Sequence, residues 1–236
     1  MPRFYLEPAA WNGEPALVAD EAKHCSRVLR AKPGDRITVF DGEGRSSEAE
    51  ILALTKGRVD LRLGKVELEA EPKVRVVLAQ AVIKGKAMDW LLQKAVELGV
   101  DEIQPLATRH AVVQPGDGKE DKWQRAVLEA CKQCGRSRVP RVLPITLIED
   151  FFRNTQSHRR IIASLGPDAQ PLRDHLSKTA DLEKVIFLVG PEGDFSQEES
   201  RKAIDSGWLE ANLGSRVLRS ETAAVFCLAS ASYAFS

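Results

Sequence analysis

Three short segments in the second half of the chain carry the residue types that hold a small polar molecule by its backbone contacts. They are Ser164-Leu165-Gly166-Pro167, Val189-Gly190-Pro191-Glu192-Gly193-Asp194-Phe195, and Leu213-Gly214-Ser215-Arg216-Val217-Leu218-Arg219-Ser220-Glu221-Thr222. Each follows a run that patterns as a strand, and in open α/β sheets ligands bind beyond the carboxyl ends of strands. Their glycines let a backbone approach a ligand closely. Singly, each segment is equally well ordinary turn chemistry. Together they form a cradle of backbone amides and carbonyls.

The missing motifs narrow the chemistry further. No GxxxxGK[ST] occurs, no GxGxxG follows the first α/β strand, and there is no GxSxG, which argues against P-loop, Rossmann and serine-hydrolase chemistry. Cys131-Lys132-Gln133-Cys134 has metal spacing, but no second CxxC or HxxxH completes a zinc set, so the pair is expected to pack or to lie at an interface, and no metal is expected. The four histidines, His24, His110, His158 and His175, are scattered. Formal net charge is zero, yet charge is uneven. Lys122, Arg125, Lys132, Arg136, Arg138 and Arg141 face a single acid, Glu129, and Lys23, Arg27, Arg30, Lys32 and Arg36 surround only Asp35. Patches of this kind steer anionic ligands, although each alone also reads as a solvated face.

The elements that must position these residues fall into two rhythms. Over the first ~70 residues, Ile37–Phe40, Glu48–Leu54 and Val59–Leu63 are short strands separated by turn signals, with a helical pattern between Asp20 and Leu29. Several short strands at regular spacing predict a small barrel of a kind often used on RNA, and Glu67–Pro72 is the expected linker. From Lys73 strands alternate with helices, predicting an α/β layer with parallel strands. Its strands are Val74–Val82, Glu102–Leu106, Arg160–Ser164, Val185–Val189 and Glu210–Leu213; its helices are Lys86–Leu98, Lys122–Cys134, a capping-box helix opening at Ser196-Gln197-Glu198-Glu199, and the almost wholly apolar Glu221–Phe235. A helix apolar all round is buried, in the core or against a second subunit. No apolar run approaches the ~18 residues of a membrane span, and Met1-Pro2-Arg3-Phe4-Tyr5 lacks a signal-peptide core, so no membrane association and a cytoplasmic location are expected.

In six places, in order along the chain, the sequence resembles one known family. These are Met1–Tyr5; His24-Cys25-Ser26-Arg27-Val28-Leu29-Arg30 followed by Pro33-Gly34-Asp35; Lys84-Gly85-Lys86-Ala87-Met88 with Gln93–Val100; Glu129–Pro140; Leu188-Val189-Gly190-Pro191-Glu192-Gly193; and Leu213–Ala223. The family is the small-subunit (16S) ribosomal RNA uridine N3-methyltransferases of the SPOUT superfamily. The resemblance implies a PUA-like β-barrel over residues 1–70 and a SPOUT-type α/β domain over 73–236 with a C-terminal trefoil knot. It also implies a homodimer packed partly through the last helix, with S-adenosylmethionine in the knot. Backbone groups of Leu165, Gly166, Leu188, Gly190, Glu192, Gly193, Leu213, Leu218 and Thr222 are the expected cofactor cradle. Arg3, Arg27, Arg30, Lys84, Lys86, Arg136 and Arg138 are the expected contacts to rRNA. Two departures stand out: Asp194 replaces a second glycine, and Arg109-His110 occupies a place where the family more often has Arg followed by Ser or Cys.

For that chemistry, Arg219 is expected to stabilise negative charge developing on a uracil oxygen and Glu221 to relay the N3 proton. The plainer alternative is that Glu221 caps the last helix and Arg219 makes a structural ion pair. Three other functions stay open at this point: an RNA-binding assembly factor without catalysis, a knotted methyltransferase acting on another RNA position, and, remotely, a nucleotide-dependent oxidoreductase.

Overall fold

The computed structural model describes residues 1–110, 118–155, 159–177 and 182–235; His158 lies outside them. The chain forms two compact units. One is Met1–Glu71 with Leu128–Val139, and the other is Pro72–Val127 with Pro140–Ser236.

The first unit contains β1 (Arg3–Tyr5), β2 (Ala16–Val18), α1 (Ala19–Lys23), β3 (Arg36–Phe40), β4 (Arg45–Thr55) and β5 (Arg58–Leu68), with a π-helical turn over His24–Val28. Its sheet order is β1-β3-β4-β5-β2, with β1 and β3 parallel and the other pairs antiparallel. Alternation along β3 and β4 sends Ile37, Val39, Ala49 and Ile51 into a core shared with Phe4, Leu17, Val59 and Leu61. The β3–β4 turn is closed by buried Asp41, whose Oδ1 accepts the N–H groups of Glu43 and Arg45 at 2.8 and 2.9 Å. Strand β5 runs five residues past its alternating part. Gly64–Leu68 has exposed side chains, but its backbone pairs with β4, Leu68 opposite Arg45. Glu67 and Leu68 therefore belong to a strand and not to a linker, because ladder pairing needs no apolar pattern.

The second unit begins with β6 (Arg75–Ala81), α2 (Gly85–Glu97), β7 (Glu102–Ala107) and α3 (Glu120–Cys134), whose residues from Leu128 on belong to the first unit. It continues with β8 (Arg141–Val142), β9 (Thr146–Leu147), α4 (Ile148–Asn154), β10 (Arg159–Ala163), β11 (Gln170–Pro171) and α5 (Leu172–Leu176). It ends with β12 (Lys184–Val189), α6 (Gln197–Asp205), β13 (Leu209–Asn212) and α7 (Ser220–Phe235). The sheet is parallel throughout, in the order β11-β13-β10-β12-β6-β7-β8, with β9 also on β7. Parallel neighbours require crossovers, which the helices supply. Strands β6 and β12 sit at its centre and are buried on both faces, which is why they are continuous apolar runs. The elements β8, β9, α4, β11 and α5 have no counterpart in the sequence pattern; two-residue strands and helices of five to seven residues are too short to show a period.

Helix α6 opens on the capping box anticipated at Ser196: its hydroxyl accepts Glu199 N–H, and the Glu199 carboxylate accepts Ser196 N–H at 2.8 Å. Helix α7 packs on α2, β6 and β12 through Ala223, Ala224, Cys227, Leu228 and Ala231. Its small side chains allow that close approach, while Phe226 and Tyr233 remain exposed. Among the described residues, no helix is long and apolar enough to cross a membrane and no three His, Cys, Asp or Glu side chains gather as a metal site.

Candidate active site

The carboxyl ends of β10, β12 and β13 converge, with the start of α7, on a cavity of about 320 Å³. That size falls within the usual range for small-molecule sites, roughly 300–1,000 Å³. All three glycine-bearing segments contribute to its wall, as do the cradle residues Leu165, Gly190, Glu192, Leu213 and Leu218. Arg219 is also in the wall. Leu188 lies fully buried within β12, and Gly166, Gly193, Thr222 and Glu221 lie outside the wall. Glu221 sits on the first turn of α7, where a carboxylate also favours the helix dipole.

Local structure fixes each loop. After β10, Gly166 N–H donates to Ser164 Oγ at 2.9 Å, and the Ser164 hydroxyl donates to Glu210 Oε1 at 2.6 Å. A Cβ at Gly166 would lie 2.8 Å from that same carboxylate oxygen, so the position admits only glycine unless Glu210 moves. After β12, a Cβ at Gly190 would lie 3.2 Å from the Phe195 ring. Glu192 Oε1 accepts the Lys84 N–H at 3.4 Å, next to the start of α2. Asp194 adopts a left-handed φ of 59°, a conformation that glycine takes freely and that Asp and Asn tolerate best among other residues. Its Oδ1 accepts the Phe195 N–H at 2.8 Å. The second departure bears on this loop too. His110 Nδ1 lies 3.0 Å from the Asp194 carbonyl oxygen, and Arg109 N–H donates to buried Glu199 at 2.8 Å, tying the exit of β7 to α6.

The cavity carries both signs of charge, Glu192 and Asp194 with Arg216 and Arg219, and its rim bears the exposed apolar side chains Leu165 and Val217. Two residues that pattern reading does not single out complete it. Ser220 is in the wall, and Gln80, buried in β6, donates to it. A polar residue in an otherwise continuous apolar strand was the available signal for Gln80. Among the described residues, no cysteine lines the cavity. Burial pushes the Cys131 and Cys227 thiols up to about 12, which leaves neither as thiolate at neutral pH.

The expected RNA contacts divide between the units. Arg27 and Arg30 are exposed around the π-helical turn of the first, with Arg30 at a φ of 51°. Lys84 and Lys86 are exposed at the start of α2 in the second. Arg3 is held inside its unit: its Nη2 donates to the Arg136 carbonyl at 3.3 Å and to Ser137 Oγ at 2.9 Å, and its guanidinium stacks 5.1 Å from the Phe40 centroid. Burial holds its pKa below the ordinary arginine value. Arg138 donates to the Glu69 carbonyl at 3.2 Å and lies 3.6 Å from the Glu71 carboxylate. Lys132 is almost buried between Glu21 and Glu129, and Lys122 and Arg141 pair with Asp89 and Glu102. The basic run of the sequence is thus largely neutralised by acids brought in from elsewhere in each unit, which a linear count cannot register.

A family model described as an RNA methyltransferase domain matches residues 69–232, which puts this fold and cavity in the class of RNA-modifying enzymes. A second, described as an RNA methyltransferase PUA domain, matches residues 19–64. The chain belongs to the RNA methyltransferase family. Three of the proteins it is similar to carry the name ribosomal RNA small subunit methyltransferase E. The Synechocystis protein is 30% identical over 90% of this chain and 71% of its own length. The Bacillus subtilis protein is 25% identical over 99% of this chain and 96% of its own. The crystal structure of the Neisseria gonorrhoeae protein bound to S-adenosyl methionine superposes with a TM-score of 0.87, at 34% identity, covering 97% of this chain and 95% of that one.

Proposed function

We propose that this protein methylates N3 of a specific uridine in 16S ribosomal RNA of the small subunit, using S-adenosylmethionine. The observation that carries the reading is the cavity at the ends of β10, β12 and β13, with Arg219 in its wall. Its residues suit the cofactor. Glu192 and Asp194 offer carboxylates to a ligand bearing an ammonium and a sulfonium, Arg216 offers a cation to its carboxylate, and the glycine loops offer backbone groups. Bound S-adenosylmethionine supplies an electrophilic methyl group, and no metal is required for that transfer.

Uracil N3 is a weak imide acid, protonated at neutral pH, so the protein must stabilise its anion or take its proton. Arg219 is a cation in the cavity wall and stabilises charge developing on a uracil oxygen. Glu221, two residues on, receives the proton if its side chain turns to the cavity; its helix-dipole position favours the structural alternative, and Glu221→Gln separates the two. Phosphate contacts come from Arg27, Arg30, Lys84, Lys86 and Arg136, while Arg3 and Arg138 hold the first unit together. Such contacts position the RNA and carry no sequence information; the target base is presented unstacked.

The C-terminal segment is read as knotted. Strand β13 lies on the far side of β10, yet Ser220, eight residues after β13, bonds to Gln80 in β6 and to Gly190 after β12. The chain therefore crosses back over the β12 exit, which supports threading. The working form is a homodimer through α7, whose exposed Phe226 and Tyr233 border a groove of about 530 Å³ with Leu172 and Leu176, and its place of action is the cytoplasm. Titration calorimetry with S-adenosylmethionine tests the reading at its base. Saturable one-site binding that Gly190→Val abolishes is expected, whereas no binding would favour an RNA-binding factor without catalysis.

A further inference from the structure

Strand β6 is buried from Val76 to Ala81, and within it Gln80 is a fully buried polar side chain. Its Nε2 donates to the Ala81 carbonyl and to Ser220 Oγ, both at 2.9 Å. Turning the amide over would set Oε1 against the Ala81 carbonyl, so the donor role is fixed. The Ser220 hydroxyl, having accepted from Gln80, spends its single hydrogen on the Gly190 carbonyl. A directed relay results, amide to hydroxyl to carbonyl, linking three segments that are distant in sequence. Its middle and its accepting end belong to the cavity: Ser220 and Gly190 are in the wall, and Ser220 follows Arg219 directly. Gly190 is also closed in from another side by the Phe195 ring, 3.2 Å from where its Cβ would stand. Meanwhile Gln80 Oε1 is buried and has no hydrogen-bond partner among the described residues. An unpaired buried acceptor destabilises a fold, so Gln80 is a poor choice for packing alone.

We infer that Gln80 and Ser220 are positioning residues. They hold the Gly190 backbone in the orientation that binds S-adenosylmethionine and anchor the start of α7 beside Arg219. This rests on the reading of the cavity as the cofactor site. The test uses the full chain and two readouts, the S-adenosylmethionine dissociation constant by calorimetry and the Tm of the ligand-free protein. Ser220→Ala should weaken binding about tenfold, as loss of one fixed hydrogen bond in a site does, and Ser220→Thr, which keeps the hydroxyl, should restore it. Gln80→Leu removes the unpaired oxygen, so Tm should hold or rise while binding weakens to a similar degree. The double variant should bind no worse than either single one, since both break the same relay. Unchanged affinity in Ser220→Ala and Gln80→Leu, or a fall in Tm with affinity intact, would overturn the inference. A wild-type chain that fails to bind S-adenosylmethionine would instead remove the cofactor reading beneath it.

Discussion

Asp194 illustrates how single residues set this site. The resembling family has a second glycine here, and the left-handed φ of 59° explains why: a Cβ in that region costs about 1–2 kcal/mol. Aspartate reduces the cost, and here its carboxylate also caps the Phe195 N–H. Asp194→Gly should therefore leave Tm nearly unchanged, whereas Asp194→Ala, with neither freedom nor cap, should lose about 1 kcal/mol, measurable by thermal unfolding. Equal stability of the two variants would contradict this account. At the same scale the sequence named six residues of the cavity wall, Leu165, Gly190, Glu192, Leu213, Leu218 and Arg219. Glycine-bearing loops after apolar runs are a local signal that marks the segments, and the family resemblance chose the residues within them. Ser220 lay in the third segment without a role of its own and Gln80 was not named, since their bond exists only where β6, the β12 exit and α7 meet.

Among the elements, α6 shows local chemistry sufficient to fix an element's start. Its capping box is reciprocal, and removal of the Ser196 hydroxyl should cost about 1 kcal/mol. Because Glu199 also holds the Arg109 N–H, Ser196→Ala should additionally loosen the Asp194 loop, seen as faster amide exchange at Arg109. The long strands and helices were legible because each presents a pattern: β6, but for Gln80, and β12 as apolar runs, α2 and α3 as amphipathic helices. The end of β5, the pair β8 and β9, and the short α4 and α5 were not, since they follow backbone pairing and packing rather than an alternating pattern. The ion pairs of the basic stretch from Lys122 to Arg141 were not legible either. Its partners Glu21, Glu102 and Asp89 lie far off in sequence, and Lys132 ends nearly buried.

For the whole molecule, the order β13-β10-β12-β6 brings three loops together and returns the chain to start α7, which ties the cavity and an exposed face to one helix. The face of α7 that carries Phe226 and Tyr233 is exposed, and a second subunit is the proposed cover. Light scattering should give a dimer for the wild type and a monomer for Phe226→Glu with Tyr233→Glu; a wild-type monomer would contradict that proposal. The central claim concerns the reaction. Unmodified small ribosomal subunits would be incubated with the protein and labelled S-adenosylmethionine, and the RNA digested to nucleosides. Label is expected in N3-methyluridine at a single site, with kcat/KM reduced about 10²–10³-fold in Arg219→Ala. Label in any other nucleoside, or none in RNA from a chain that binds the cofactor, would contradict that claim.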